Sequence, residues 1–215
     1  MNTRDDCRLS PKSATYGLFV FTLIALGVSA IRPHDYFTWF LEVAPVLIGL
    51  PILIVTRRSF PLTPLLYQLL FLHSLVLVLG GHYTYANVPL GEWVKDWFQL
   101  SRNHYDRLGH LFQGFVPAVL VREILLRRSP LKEGKWLFFL TTCVCLAFSA
   151  FYELIEFTTV LLSGDKADDF LGTQGDTWDT QKDMLLALVG SITSQGFLNR
   201  KHANQLKVLG SPLNS

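Results

Sequence analysis

The sequence predicts an all-α fold, a polytopic membrane helix bundle of about six transmembrane helices with a short interfacial helix. The composition is the first reason, because 50% of the 215 residues are hydrophobic, 13% are aromatic and the mean hydropathy is +0.31. Such a chain is too apolar for an ordinary soluble domain. The second reason is a series of apolar runs, each long enough to cross a bilayer. We expect a single integral membrane domain over residues 1–215, with polar tails at about 1–13 and 200–215.

The expected spans follow from the apolar runs. They lie at about 14–31, 37–56, 62–81, within 102–128, at 136–157 and at 181–198. Pro45 and Pro51 fall inside the second run, where neighbouring helices can accommodate them. A cleaved signal peptide is the alternative for the first run, because Val28 to Ala30 resembles a cleavage site. The length of that run and two acidic residues in the tail favour a retained span.

A short amphipathic segment from Val88 to Leu100 connects the third and fourth spans. Trp93 and Trp97 are one helical turn apart, as are Val94 and Phe98. The intervening positions are polar: Glu92, Lys95, Asp96 and Gln99. An aromatic face opposite a charged face is typical of a helix that lies in the membrane interface.

The distribution of basic residues predicts the orientation of the bundle. With both termini cytoplasmic, 13 of the 19 Lys and Arg residues lie on the cytoplasmic side. This asymmetry follows the positive-inside rule for an even number of spans. Polar residues near the ends of five different spans then come to the outer side: Glu42, His82, Asp106, His110, Glu153, Glu156, Asp179 and Asp183.

The segment GTQGDTWDTQKD, residues 172–183, places three aspartates at the entrance to the last apolar run. Capping is the simplest explanation for the first of them, and Asp176 or Thr177 is expected to be the N-cap. Asp183 lies inside the run. A carboxylate inside a membrane helix is costly and is a functional candidate that needs a partner.

Four stretches carry a resemblance to known families: GHYTY, RNHYDRLGH, SAFYELIEF and GTQGDTWDTQKDM. Over nearly its whole length the chain resembles the YjdF family of bacterial inner-membrane proteins. Spans four to six also resemble the VanZ-like membrane proteins, associated with glycopeptide resistance and envelope functions. Asp106, Arg107, His110, Glu153 and Asp183 match that pattern. Two further positions of the pattern differ, because Ala187 stands where that family has Asn and Glu156 where it has Gln.

The candidate site residues are imidazole and carboxylate groups with two nearby guanidinium groups. We expect the chemistry from His110, Glu153, Asp183, Asp106, Glu156 and Asp179, and substrate binding from Arg102, Arg107, His82, His104 and Asp176. Imidazole with carboxylate suits a divalent metal such as zinc, manganese or iron. Without a metal, Glu153 would act as a general acid or base with His110 as its partner. The sequence contains no HExxH motif, no CxxC pair and no phosphate-binding loop.

Three functional hypotheses follow. The first is an enzyme or binding protein for an envelope lipid or lipid-linked substrate at the outer leaflet, where Arg102 and Arg107 would hold a phosphate. The second is a proton-coupled carrier. The absence of a polar track that continues to the cytoplasmic side argues against it. The third is a scaffold whose polar residues only fasten the bundle. Membrane lipids are the expected partners, and a net charge of +2 with no basic stripe argues against nucleic acid.

Overall fold

The computed structural model describes residues 11–163 and 173–210, and these residues form seven α-helices and no strand. The helices are α1 (Pro11–Ser29), α2 (Tyr36–Thr56), α3 (Pro64–Tyr83), α4 (Pro89–Phe98), α5 (Tyr105–Arg128), α6 (Lys135–Ser163) and α7 (Asp179–Leu209). A short 3-10 turn, Tyr85–Asn87, precedes α4. The all-α bundle and the short helix between spans three and four are therefore confirmed.

Within the described ranges, four helices are long and apolar enough to cross a membrane: α2, α3, α5 and α6. Helix α1 contributes a shorter apolar stretch, Ala14–Ser29. Helix α7 has 31 residues but is not in this group, because charged residues occupy both of its ends. The number of six spans, which requires α1 and α7 to cross as well, stays a prediction.

The N-cap predicted for the last helix was wrong. Helix α7 begins at Asp179, and its N-cap residue is Trp178, which makes no side-chain capping bond. Asp176 lies in the preceding turn, where its Oδ1 accepts from the Trp178 N–H at 3.0 Å. Its Oδ2 accepts from Arg107 at 2.9 Å and from Lys182 at 2.6 Å. The carboxylate thus binds two side-chain cations and a turn amide.

Helices α5 and α7 pack almost backbone to backbone. A Cβ added at Gly114 would lie 1.8 Å from the carbonyl oxygen of Ala187, and one at Gly190 would lie 2.2 Å from that of Leu111. Small residues allow this approach in membrane helices. Helix α5 also packs on α3 and α6, so it occupies the centre of the bundle. Its first turns therefore bring residues of α6 and α7 together.

A buried network of charges ties the opposite end of α5 to α3 and α7. Glu123 is fully buried and accepts hydrogen bonds from the backbone and hydroxyl of Thr63, from Arg127 and from His202. Arg122 lies 2.8 Å from Nδ1 of His202. We call these residues the Glu123 network. Every charge in it has a partner, so it fixes how the three helices meet.

Candidate functional site

Two arginines and three aspartates form the outermost layer of the site. Arg102 precedes α5 and Arg107 lies in its first turn; their guanidinium groups reach Oδ1 of Asp179 at 2.5 Å and 2.6 Å. Arg107 also contacts Asp176 at 2.9 Å and Asp183 at 3.0 Å. Both arginines, expected to bind substrate, are therefore held by carboxylates of the protein itself.

His110 lies one turn further along α5 and has a defined hydrogen-bonding environment. Its Nδ1 is 2.9 Å from Oε1 of Gln113 and 3.7 Å from Oε1 of Glu153, so two acceptors surround this nitrogen. In the neutral imidazole, Nδ1 then carries the hydrogen and Nε2 carries the lone pair. That lone pair faces Oδ1 of Asp106 at 3.4 Å. Nε2 of the neutral His110 and Oδ1 of Asp106 are both hydrogen-bond acceptors, so a cation or an additional proton between them would stabilise the contact.

Asp106, His110 and Asp183 have the geometry of a ligand set for a metal ion. One ligand atom from each lies within 4.8 Å of the other two, and all three residues are at most 9% exposed. One imidazole and two carboxylates are a donor set that suits zinc, manganese or iron. Oδ1 of Asp183 also accepts a hydrogen bond from Arg107 at 3.0 Å.

Further acidic groups surround these three residues. Glu153 and Glu156 come from α6 and Glu42 from α2; Glu42 and Glu156 lie within electrostatic range of each other and of Asp106. Glu42 is 1% exposed, and its carboxylate makes no hydrogen bond of normal geometry among the described residues, although the backbone of Tyr85 lies close enough to interact with it. The complete set, here called the His–carboxylate cluster, comprises Glu42, Asp106, His110, Glu153, Glu156, Asp176, Asp179 and Asp183.

The charges of this cluster do not balance. Seven carboxyl groups face three permanently charged side chains, namely Arg102, Arg107 and Lys182. Buried carboxylates in this number are costly unless they bind protons or cations. Outside the membrane-spanning part, the hydrogen bond from Lys182 and then the Trp178 amide hold the pKa of Asp176 below its ordinary value. Glu42, Glu153 and Glu156 have no ion pair with an arginine or lysine among the described residues, which makes their surroundings attractive to a cation.

Two predicted binding residues lie at the margin of the cluster or outside it. Nδ1 of His82 is 2.9 Å from the carbonyl oxygen of Ser29, so this ring contacts the end of α1. His104 is the exposed N-cap residue of α5. Partial burial, followed by Arg102 and Arg107, lowers the pKa of its imidazole. His104 is therefore a candidate for contact with a molecule entering from solvent.

Sequence reasoning missed three residues that shape the site. Asn103 is fully buried, donates to Glu92 of α4 at 3.0 Å and accepts from the amide of Tyr105. Gln174 pairs with the backbone of Asn103 through two hydrogen bonds, 2.9 Å and 3.0 Å long. Gln113 orients His110, and its spacing of three residues from that histidine is the signal that a helical projection would have shown.

Comparison with known proteins places the chain in a family. A family model described as "Predicted membrane protein (DUF2238)" matches residues 14–204. The chain belongs to this family. It is also 55% identical to the inner membrane protein YjdF of Escherichia coli (strain K12) over 188 residues, which is 87% of this chain and 88% of that protein. No solved structure matches.

Membership of the DUF2238 family agrees with the resemblance seen in the sequence and makes the chain a multi-pass inner-membrane protein. The match includes α2 to α6 and most of α7, so all residues of the His–carboxylate cluster lie within it. The likeness to VanZ-like proteins stays a prediction.

Proposed function

We propose that the His–carboxylate cluster binds a divalent cation, and that this cation holds the phosphate group of an envelope lipid or lipid-linked substrate at the outer leaflet. The convergence of Asp106, His110 and Asp183 within 4.8 Å carries the proposal. The excess of buried carboxyl groups supports it, because a divalent cation offsets charge that the two arginines leave uncompensated.

The engagement of the arginines favours a cation as the phosphate-binding group. Arg102 and Arg107 already contact Asp176, Asp179 and Asp183, so a phosphate would have to displace these carboxylates. A divalent cation can bind protein carboxylates and a phosphate together, because both are oxygen ligands. The arginines then position the aspartates and limit the negative charge near the site.

Helix α4 supports a lipid as the ligand. The side chains of Trp93, Trp97 and Phe98 are 67%, 88% and 69% exposed, a large aromatic surface for one short helix. Aromatic side chains of this kind concentrate at the membrane interface. Glu92 of the same helix accepts a hydrogen bond from Asn103, the neighbour of Arg102. The aromatic surface and the cluster are therefore linked through a few residues.

A scaffold is the second candidate function, since a network of ion pairs can fasten helices without binding anything. Its central contact would be a doubly protonated His110 paired with Asp106 at 3.4 Å. In that case the cluster is complete without a metal, and replacing a carboxylate changes stability only.

Lipid binding with and without a divalent cation tests the proposal. The protein, purified in detergent and freed of metal, is titrated calorimetrically with a short-chain phosphatidylglycerol in Mn²⁺ or in EDTA. We expect Mn²⁺ to strengthen binding about tenfold or more, and Asp183→Asn to remove this difference. Asp96→Asn, at an exposed acidic residue of α4, is the matched control and should behave as the original protein. Equal affinity in Mn²⁺ and EDTA would contradict the proposal.

A further inference from the structure

A cavity of about 320 Å³ lies at the end of the bundle that is opposite the His–carboxylate cluster. The last turns of α5 and α7 and the loop between α5 and α6 form its walls. Ligand sites in proteins have volumes of roughly 300–1,000 Å³, whereas one water molecule needs about 30 Å³. The cavity therefore has room for part of an organic ligand.

The lining of this cavity combines three leucines with three charged side chains: Leu126, Leu206, Leu209, Arg127, Glu133 and Lys207. We call this space the basic cavity. The carboxylate of Glu133 already has a partner, because its Oε1 accepts from Arg122 at 2.7 Å. The charge that is available to a ligand in the cavity is therefore positive.

The guanidinium group of Arg127 is held in place by three contacts. Its Nη1 donates to the carbonyl oxygen of Pro61 at 2.6 Å and to Oε1 of Glu123 at 2.7 Å. The group also lies 3.7 Å from the ring centroid of Phe60. Its Nε and Nη2 make no hydrogen bond within the described residues. A guanidinium that is fixed at one nitrogen and has two donors free is suited to bidentate binding of a phosphate.

Lys207 supplies a second cation from the α7 side of the basic cavity. It is exposed and makes no ion pair in the part of the chain that the structure describes. The surrounding segments, 122–135 and 200–210, contain eight lysines and arginines but only two glutamates. Both glutamates form ion pairs with arginine. The excess of positive charge around the cavity attracts an anion.

The basic cavity lies at the depth where the headgroups of a bilayer begin. Helix α5 ends in Arg127 and Arg128, directly after the apolar pair Leu125 and Leu126. Trp136, the second residue of α6, is 71% exposed, as is typical of an aromatic side chain at the membrane interface. An anion bound here would therefore lie level with the phosphates of the surrounding lipids.

We propose that the basic cavity binds the headgroup of an anionic phospholipid from the leaflet opposite the His–carboxylate cluster. The phosphate would lie between Arg127 and Lys207, and the three leucines would contact the glycerol and the first methylene groups of the acyl chains. Basic pockets between membrane helices on the cytoplasmic side bind anionic headgroups in other proteins. The inference does not depend on the proposed cation site, because the two sites share no residue.

Calorimetric titration of the detergent-purified protein tests the role of charge. Short-chain phosphatidylglycerol and phosphatidylcholine are compared in EDTA at low salt, so that no divalent cation contributes to binding. We expect phosphatidylglycerol to bind about fivefold more tightly or better, and Lys207→Gln to weaken its binding about fivefold. Lys201→Gln is the matched control, since Lys201 is exposed on the same helix but does not line the cavity. Equal affinity for the two lipids, or equal effects of the two variants, would overturn the proposal.

Filling the basic cavity tests its location without changing any charge. Ala203 lines the cavity, so the indole of Ala203→Trp would occupy the space and should weaken phosphatidylglycerol binding about tenfold. Asn204→Trp, at the exposed neighbouring position outside the lining, should bind normally. Thermal unfolding verifies that both variants are folded, and Lys207→Gln provides an independent result if Ala203→Trp is not. Retained binding in folded Ala203→Trp would overturn the proposal. Equally tight binding of glycerophosphoglycerol, the headgroup without acyl chains, would also overturn it, because the ligand would then be a soluble anion.

Discussion

Arg107 contacts more acidic side chains of the His–carboxylate cluster at hydrogen-bonding distance than Arg102 does. Its guanidinium contacts Asp176, Asp179 and Asp183 at 2.9, 2.6 and 3.0 Å, and Asp179 and Asp183 are almost completely buried. A planar group with several donors suits this arrangement, and lysine cannot reproduce it. The arginine therefore determines where the aspartates lie.

Replacing Arg107 by Gln should destabilise the protein by about 3–5 kcal/mol, because buried carboxylates lose their charged partner. Thermal unfolding in detergent measures this change. Arg58→Gln is the control, since Arg58 is exposed and makes no ion pair within the described residues. Equal melting temperatures for the two variants would show that Arg107 does not hold the aspartates in place.

The sequence was sufficient to predict those site residues that are marked by their position in an apolar run. Asp106, His110, Glu153 and Asp183 lie near the ends of apolar runs, and the orientation of the spans brings them to one side. The partners could not be predicted, because they depend on distances between helices. Arg102 and Arg107 looked free to bind a phosphate, yet they bind Asp179.

The contact between α5 and α7 supports the cluster, since it sets the distance between Asp106 and Asp183. Gly190→Ala should disrupt it, because the new Cβ would lie 2.2 Å from a backbone oxygen of Leu111. We expect a loss of about 1–3 kcal/mol in the free energy of unfolding, the usual cost of overpacking.

Gly196 is the matched control for that variant, because it lies on the same helix and an added Cβ meets nothing within 4 Å. Gly196→Ala should be neutral or stabilising by up to about 1 kcal/mol, as alanine favours the helix. Chemical denaturation in detergent compares the two variants. Equal effects would mean that α5 and α7 are not packed this closely.

Helix α4 is predicted to act through its surface rather than through the core. Trp93 and Trp97 are mostly exposed, so replacing both by Ala should leave the melting temperature nearly unchanged while weakening the binding of phosphatidylglycerol. Thermal unfolding and lipid titration of the same preparation measure the two effects. Failure of the variant to accumulate would show that α4 is needed for folding.

The orientation of the whole molecule follows from its basic residues. Reporter fusions at Lys12, Pro130 and Lys207 should all indicate a cytoplasmic location. The start of α7 and the His–carboxylate cluster would then face outward, as the lipid proposal requires. A reporter at Lys207 that indicates the outer side would contradict six spans and place the cluster on the cytoplasmic face.

The order and approximate lengths of the helices were the features most easily predicted from the sequence. Run lengths indicated α2, α3 and α5 to within about three residues, since a bilayer demands long apolar segments. Helix α6 was predicted to end near Phe157 but continues to Ser163. The ends of α7 were less predictable. The helix continues to Leu209, well past the end of the apolar run, because buried His202 and Gln205, which accepts from the amide of Leu65, attach its last turns to α3 and α5.

Titration of the metal-free protein with Mn²⁺, followed by electron paramagnetic resonance, measures cation binding at the His–carboxylate cluster itself. We expect a saturable site in the original protein, with affinity reduced about tenfold or more in His110→Gln and in Asp183→Asn and unchanged in Asp96→Asn. Normal melting temperatures in the two cluster variants would show that a ligand, and not the fold, has been lost. Absence of saturable binding, or equal affinity in all four proteins, would contradict a cation site at Asp106, His110 and Asp183.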